Sequence, residues 1–409
     1  MGEQSERKFD IKLASKEKCT GCGACYSICP MKAISFRYEK GFKYPYIDLT
    51  RCVKCGLCQK ACGLSLDDIS LTKPCAIFGV IHKDKSVRDA SSSGGAFYII
   101  ANEILSKGGV VYGAGFDDDW SVKHMRCEDL SDISKLQKSK YVQSDACNIY
   151  EDVKIKLSEG KICLFTGTAC QCSGLKAYLK QTGVSVERLI LVDFICHGVP
   201  SPEIWKKYIE LRERQFKGYG RIKKVDFRDK YKGWRDFRMS IEYENGNTKY
   251  FRQSDDYFLI LAFHNYMLRN NCYECKFAGI ERSTDITIGD YWGVWEFSKE
   301  LYDDQGTSVF MANTDKGKEF LDALKRESIW EEITMDMAKK HQINLKGPCK
   351  KPVQYEAFWN DYNNNGFESI LKHYADKTPI GIFKRRVVYK ILYRIGIFGW
   401  LVSLKTRRH

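Results

Sequence analysis

Two runs of four cysteines near the amino terminus constrain this chain more than any other feature. Both runs have the spacing C-x2-C-x2-C-x3-C, and the residues around them repeat as well. The runs are Cys19, Cys22, Cys25 and Cys29, then Cys52, Cys55, Cys58 and Cys62. Thiolates at this spacing hold [4Fe-4S] clusters, whereas zinc usually takes two separate C-x2-C pairs. The duplication therefore predicts two [4Fe-4S] clusters, with a pair of zinc sites as the alternative.

The fourth cysteine of each run is expected to bind across to the other cluster, as in two-cluster ferredoxin modules. One cluster is thus assigned to Cys19, Cys22, Cys25 and Cys62. The other is assigned to Cys52, Cys55, Cys58 and Cys29. Gly63 follows Cys62 where the ferredoxin pattern has proline, which predicts a looser turn without removing a ligand.

Composition places these thiols in a reducing compartment. The chain has 18 cysteines, and its polar amino terminus lacks the apolar stretch of a signal peptide, so a cytoplasmic location is expected. The net charge of +14 suits acidic partners, but no nucleic-acid-binding signature accompanies it, and we expect no nucleic-acid partner.

Beyond Pro74, predicted strands alternate with predicted helices, which favours a mainly parallel sheet. The segment RMSIEYENGNTKYFR predicts an inserted β-hairpin, with Asn245-Gly246 as a type I′ turn. The expected fold is an α+β ferredoxin-like module, an α/β core and a helical C-terminal tail. The expected segments are 1–72, 73–355 and 356–409.

Polar and thiol side chains occur at loops of this core. The Ser/Gly loop before a predicted helix suits an anion, although ordinary N-capping by Ser91, Ser92 or Ser93 is the alternative. Cys170 and Cys196 follow predicted strands, where ligands bind in α/β sheets.

Cys272 and Cys275 add a C-x2-C pair that could converge with Cys170 and Cys196 on a third metal site; buried structural thiols are the alternative. His197 is a candidate proton donor, with a hydrogen-bonded structural histidine as its alternative.

Several motifs in order resemble the beta-subunit family of coenzyme F-420 (deazaflavin) hydrogenases and dehydrogenases. The matching pieces are Ser92-Ser93-Gly94-Gly95, Ser139-Lys140-Tyr141, Gly167-Thr168-Ala169-Cys170-Gln171, Cys196-His197-Gly198, Cys272-x2-Cys275 and the stretch from Asp285 to Gly293. The likeness covers roughly residues 75 to 350. Ala169 replaces a proline that family members often have, which puts the local loop shape in question.

The resemblance implies FAD and a third [4Fe-4S] cluster in the core. The implied cluster ligands are Cys170, Cys196, Cys272 and Cys275. The implied flavin-site residues are Ser92, Ser93, Gly94, Gly95, Ser139, Lys140, Tyr141, Gly167 and Thr168.

The C-terminal tail from Lys377 is rich in Lys and Arg and contains no acid. Its apolar stretch is interrupted by Lys390 and Arg394, which disfavours a membrane-spanning helix. The pattern predicts a basic amphipathic helix lying at the inner face of a membrane, or one docked on protein.

We therefore expect an iron–sulfur, flavin-dependent oxidoreductase. It would pass electrons between its clusters and a flavin, then to or from a small-molecule substrate such as a deazaflavin. Its redox partner would be a ferredoxin or an oxidoreductase subunit. The alternatives are a non-catalytic electron-transfer subunit that docks to a partner enzyme, and a zinc-stabilised scaffold.

Overall fold

The structure, a computed structural model, describes residues 11–64 and 71–375 together with Val387. Contacts divide the chain into two units. The first combines the chain up to Val199 with Arg269–Cys349, and the second combines Pro200–Leu268 with the chain from Lys350 onward. This division does not follow the three expected segments, whose boundaries stay a prediction.

Strands and helices of the described residues are numbered in chain order. The strands are β1 (Ile34–Glu39), β2 (Phe42–Ile47), β3 (Ala76–His82), β4 (Val110–Phe116), β5 (Val122–Cys127), β6 (Cys163–Gly167), β7 (Leu189–Phe194), β8 (Ile222–Asp229), β9 (Arg238–Tyr243), β10 (Thr248–Arg252), β11 (Ile286–Asp290), β12 (Ser308–Ala312) and β13 (Ser328–Glu332). The helices are α1 (Ala24–Ile28), α2 (Leu57–Lys60), α3 (Lys85–Asp89), α4 (Ala96–Ser106), α5 (Ile149–Ser158), α6 (Ala169–Thr182), α7 (Pro202–Gln215), α8 (Tyr257–Phe263), α9 (Asp315–Lys318), α10 (Leu321–Glu327), α11 (Met335–Lys339), α12 (Tyr355–Asn365) and α13 (Phe367–Tyr374).

The duplicated cysteine segment forms a small module. Its two strands, β1 and β2, pair antiparallel, and each cysteine run contributes one short helix, α1 or α2. Both helices begin after a glycine in the left-handed region, Gly23 with φ 84° and Gly56 with φ 75°. Glycine adopts this conformation without steric cost, so each cysteine loop can turn tightly into its helix.

An eight-stranded sheet forms the core of the first unit, in the order β13-β3-β12-β11-β7-β6-β4-β5. Only the pairs β4–β6, β6–β7 and β7–β11 are parallel; the other neighbouring pairs are antiparallel. The predicted mainly parallel sheet is therefore wrong, and the sheet is mixed. Its parallel centre matches the predicted strand–helix units, while the antiparallel strands lie toward the two edges.

Apolar residues cover both faces of this sheet, as alternating side chains require. One core contains Val111 and Leu164 with residues of α4 and α10. The next residues of the same strands, Tyr112 and Phe165, enter a second core with α5 and α6. Ala24 of α1 belongs to this second core. The cysteine module is thus packed into the hydrophobic interior of the first unit.

The second unit contains the predicted hairpin, formed by β9 and β10 with β8 as a third antiparallel strand. Gly246 has φ 81°, but Asn245 is not left-handed, so the predicted type I′ turn is wrong. Ser201 caps α7 by accepting a hydrogen bond from the Ile204 N–H, and Pro202 occupies the first helical position, both as predicted.

Helices α12 and α13 form the C-terminal part that the structure describes. The predicted basic tail helix from Lys377 lies outside the described residues, apart from Val387. Among the described helices, none has the length and apolar character needed to cross a membrane.

Candidate functional site

The cysteine module encloses two cavities, and each is lined by all four predicted ligands of one cluster. The first cavity is lined by Cys19, Cys22, Cys25 and Cys62. The second is lined by Cys29, Cys52, Cys55 and Cys58. The grouping follows the predicted exchange, in which the last cysteine of each run faces the cavity of the other run. Cys58 lines both cavities, so the two are neighbours.

Backbone N–H groups point at the sulfurs of these loops. The N–H of Ala33 donates to Cys29 Sγ at 3.3 Å, and that of Lys54 donates to Cys52 Sγ at 3.4 Å. Burial raises the pKa of the Cys22 thiol to about 11, so this thiol stays protonated unless a positive centre replaces the proton. Such donor groups and a buried sulfur set fit a metal-bound thiolate.

A third cavity lies at the carboxyl edge of the sheet. It is lined by all four cysteines implied for the core cluster, Cys170, Cys196, Cys272 and Cys275. Cys170 stands in the first turn of α6, where Thr168 and Gln171 form a capping box, and Thr168 Oγ1 lies 3.1 Å from Cys170 Sγ. Cys196 follows β7, so parallel strands deliver two of the thiols to one edge.

The remaining two thiols come from the chain around the short 3₁₀ turn Asn270–Glu274. Burial, and then repulsion from the neighbouring cysteines, raises the pKa of the Cys196 thiol well above its usual value. Burial also raises the pKa of Cys272 to about 11. Four half-buried thiols at one cavity fit the cationic iron–sulfur core of a cluster better than free thiolates. His197, the candidate proton donor, lines the same cavity.

Two buried arginines accompany the third cavity, and sequence reasoning missed both. Arg282 lines the cavity; its Nη1 lies 3.6 Å from Asp193 Oδ2 and donates to the Phe277 carbonyl at 3.3 Å. Its Nε and Nη2 find no acceptor among the described residues. These orphaned donors are suited to an anionic group such as a thiolate-ligated cluster.

Arg269 is the second arginine, only 1% exposed, and it also lines the third cavity. Its Nε donates to the Cys19 carbonyl at 2.7 Å, and its Nη2 donates to Cys19 Sγ at 3.5 Å. Among its described partners there is no carboxylate. Nothing in the sequence distinguished these two arginines from the other basic residues.

The three cavities follow one another. Thr20 lines both the first and the third cavity, and Arg269 contacts Cys19 of the first while lining the third. Because Cys58 joins the first cavity to the second, the order is second, first, third. Clusters held in this order would form a continuous path from the module to the core.

Residues implied for the flavin site fall into two groups. Ser92 and Ser139 meet, since the Ser139 N–H donates to Ser92 Oγ at 2.8 Å. Gly167 and Thr168 instead end β6, and Thr168 lines the third cavity. In the sheet, β3 and β6 are separated by β12, β11 and β7, so the two groups lie at different positions along its edge.

The Ser/Gly loop before α4 is closely packed. Ser93 Oγ donates to the Thr307 carbonyl at 2.7 Å, and the Gly94 N–H donates to Ser308 Oγ at 2.9 Å. The N-cap is Gly95, with no side-chain hydrogen bond, so the alternative of N-capping by Ser91, Ser92 or Ser93 is wrong. Lys140 Nζ donates to the carbonyls of Lys135 and Gln137, and Tyr141 follows it, half-buried.

Residues 160–337 match the family model for the C terminus of the coenzyme F420 hydrogenase/dehydrogenase beta subunit. Residues 18–63 match the 4Fe-4S dicluster domain. Over residues 160–337 the chain belongs to the coenzyme F420 hydrogenase/dehydrogenase beta-subunit family. The dicluster match confirms the predicted iron–sulfur module of this family member, while the assignment of each cysteine stays a prediction.

Relatives of this family member come from Methanocaldococcus jannaschii. Uncharacterized protein MJ1349 is 23% identical over 383 residues, which cover 80% of this chain and 98% of the relative. Uncharacterized ferredoxin MJ0722 is 32% identical over 62 residues, covering 15% of this chain and 80% of the ferredoxin. An iron-sulfur component of the CoB--CoM heterodisulfide reductase is 41% identical over 75 residues, but the match spans only 11% of that relative and 13% of this chain.

A solved structure with similarity to the family member is a chain of the F420-reducing [NiFe] hydrogenase complex from Methanosarcina barkeri. The alignment covers 68% of this chain and 92% of that chain, with 18% sequence identity and a TM-score of 0.45.

Proposed function

We propose that this chain is an iron–sulfur flavoprotein oxidoreductase that passes electrons between its module and a two-electron substrate. The observation that carries the proposal is the succession of three cavities, each lined by the four cysteines predicted for one cluster, with Cys58 also lining the first. Electrons would move singly along the clusters in the order of the cavities. Cluster potentials span roughly −700 to +450 mV, so either direction of flow is compatible with the ligand set.

The third cluster is supported by its surroundings as well as by its thiols. Arg269 and Arg282 are both buried at the cavity; Arg282 Nε and Nη2 have no acceptor among the described residues, and no carboxylate is among the hydrogen-bond acceptors of Arg269. A cluster with four thiolate ligands carries net negative charge, so the two guanidinium groups would balance it. Thr168 Oγ1 is positioned to donate to Cys170 Sγ once that thiol is a ligand.

Two observations support a bound flavin: the match to the F420 hydrogenase/dehydrogenase family, and the hydrogen bond between Ser139 and Ser92. The residues proposed to hold it are those of the Ser92–Gly95 loop with Ser139, Lys140 and Tyr141. A bound flavin would supply the exchange between single electrons and the electron pair that a substrate takes up. The family description makes coenzyme F420 the first substrate to test, with other two-electron acceptors of similar chemistry next.

An electron-transfer protein without flavin is the second candidate, and one observation favours it. Ser93 Oγ and the Gly94 N–H already have partners in β12 and the residue before it. A Cβ at Gly95 would come within 3.0 Å of His82, so this loop is closely packed. The chain would then bind a partner enzyme that performs the substrate chemistry.

Anaerobic purification with iron, sulfide and flavin analysis tests the proposal. The proposed flavoprotein should contain about twelve irons, four for each of three clusters, and one FAD per chain. The second candidate should contain no flavin, and about eight irons if it holds only the two clusters of the module. The double variant Cys272→Ala/Cys275→Ala should lose about four irons, and Cys75→Ala, whose thiol is exposed and lines none of the three cavities, should lose none. A colourless protein containing zinc alone would overturn both candidates.

A further inference from the structure

The surface over the second cavity exposes apolar side chains and a cluster thiol together. Val53 is 61% exposed and Met31 is 44% exposed, and Leu49, in the turn closed by the Arg51 N–H donating to the Asp48 carbonyl, is 70% exposed. Cys55 is exposed, and Met31 and Val53 line the same cavity as Cys55. Arg51 joins the two segments because its Nη2 donates to the Met31 carbonyl at 3.2 Å. These residues form one patch at the far end of the succession of cavities.

Positive charge surrounds this patch. Residues 29–34 and 47–60 contain Lys32, Arg51, Lys54 and Lys60, all exposed. Their one acid is Asp48, whose Oδ1 accepts hydrogen bonds from the N–H and the hydroxyl of Thr50 at 2.9 and 2.6 Å. Those bonds lower the pKa of Asp48 and leave its carboxylate turned to its own loop. The patch therefore presents an excess of positive charge around an apolar centre.

Lys54 is the basic residue of the patch that directly precedes the proposed cluster ligand Cys55. It has φ 55°, in the left-handed region, and it occupies the position that Gly21 occupies in the first repeat, where φ is 70°. A non-glycine residue there costs about 1–2 kcal/mol. Its contact to Cys52 Sγ comes from the backbone N–H, which glycine would supply equally well. Lys32, Lys40 and Lys138 also have positive φ, so the contribution of Lys54 to the patch is its exposed positive charge.

We propose that this patch docks an acidic one-electron carrier protein, and that electrons cross at the second cluster. The inference rests on the proposed function, since it needs a cluster held by Cys29, Cys52, Cys55 and Cys58. In each encounter the reduced carrier loses one electron and the cluster gains it, or the reverse when the flow is opposite. Apolar contact would exclude water around Cys55, and the basic rim would steer an acidic partner into place.

Stopped-flow reduction of the anaerobic holoprotein tests the patch. The probe is a reduced acidic two-[4Fe-4S] ferredoxin, and dithionite serves as the small reductant. Arg51→Glu/Lys54→Glu should slow reduction by ferredoxin about tenfold at low ionic strength, with the difference shrinking as salt rises. Reduction by dithionite and the iron content should stay unchanged. Lys299→Glu/Lys346→Glu, which reverses two exposed lysines in another part of the first unit, is the matched charge control.

Lys54→Gly separates docking from folding. It removes the charge but suits the left-handed backbone, so stability and iron content should hold or rise while ferredoxin reduces the protein more slowly. Wild-type rates with ferredoxin for both variants would overturn the docking site while leaving the proposed function intact. If the anaerobically purified wild-type protein contained no iron that dithionite reduces, the proposed function itself would be overturned.

Discussion

The guanidinium of Arg269 donates a hydrogen bond to Cys19 Sγ at 3.5 Å, across 250 residues of sequence. The same side chain donates through Nε to the Cys19 carbonyl and stacks over Tyr44, with its carbon 4.4 Å from the ring centroid. It explains why Gly21 is glycine, because a Cβ there would come within 2.7 Å of the guanidinium. One buried cation therefore links a proposed ligand of the first cluster to the cavity of the third.

Replacing Arg269 should lower the reduction potential of the first cluster. Each electron makes a cluster more negative, and a buried cation beside its sulfur favours the reduced state. Arg269→Gln removes that charge. For a one-electron couple, losing about 1.4 kcal/mol of preference for the reduced over the oxidised cluster lowers the potential by about 59 mV. An anaerobic redox titration followed by EPR measures the shift.

Arg269→Lys is the control, since it keeps the charge but not the forked geometry. Its potential should lie closer to that of the wild type, while both variants lose about 1–3 kcal/mol of stability through unmatched buried acceptors. Equal potentials in all three proteins, at full iron content, would show that the arginine only supports the fold.

Pairs of cysteine substitutions should reveal the exchange of ligands between runs. Cys29→Ala/Cys52→Ala removes two thiols of one cavity, so it should lose one cluster, about four irons. Cys29→Ala/Cys62→Ala removes one thiol from each cavity and should lose two clusters, about eight irons. Iron analysis of anaerobically purified protein measures both. If each run instead held its own cluster, the first pair would lose two clusters rather than one.

Cysteines that the sequence assigned to one cluster line a common cavity, because the spacing within each run is a local feature. Each run specifies a loop geometry, and the position of Cys170 and Cys196 after strands specified a common edge. Strand direction is different, since the hydrophobic pattern of β12 or β13 is the same whichever way the strand runs. The partners of Arg269 and Arg282 depend on contacts between distant segments, which no local pattern encodes.

Gly63 shows how a departure from a motif can have a tertiary cause. A Cβ at Gly63 would lie 2.8 Å from the Gly174 nitrogen and 2.9 Å from the Ser173 carbonyl carbon in α6. Ser173 Oγ also donates to the Gly63 carbonyl at 3.0 Å. The ferredoxin pattern has proline here, but in this chain the position abuts a helix backbone, which leaves no room for a side chain.

Gly63→Ala should therefore destabilise the packing of the cysteine module against α6. Neither neighbouring atom belongs to a flexible side chain, so the backbone must shift, at a cost of about 1–3 kcal/mol. Thermal unfolding and iron retention under anaerobic conditions measure the effect. Gly218→Ala is the matched control, because a Cβ there meets open space. Equal losses in both variants would attribute the effect to glycine replacement in general.

His124 should make stability fall as pH falls. It is buried, stacks on Phe165 with centroids 4.9 Å apart, and its Nε2 lies 3.2 Å from the Thr166 carbonyl. Burial lowers its pKa from 6.5 to about 4. Between those values the unfolded chain binds a proton that the folded chain excludes, so this contribution is complete above pH 6.5 and declines below it.

The loss between pH 7.5 and pH 5 should be about 2 kcal/mol for this group. Glutamine at position 124 stays neutral at both pH values. Subtracting the free energy of unfolding of His124→Gln from that of the wild type at each pH therefore removes the contribution of the carboxylates and thiols that both proteins share. Wild-type protein should lose stability relative to the variant as pH falls, measured by anaerobic unfolding at both pH values. Parallel pH profiles would mean that His124 is protonated in the folded state, and its stacking against Phe165 would then have to tolerate a buried charge.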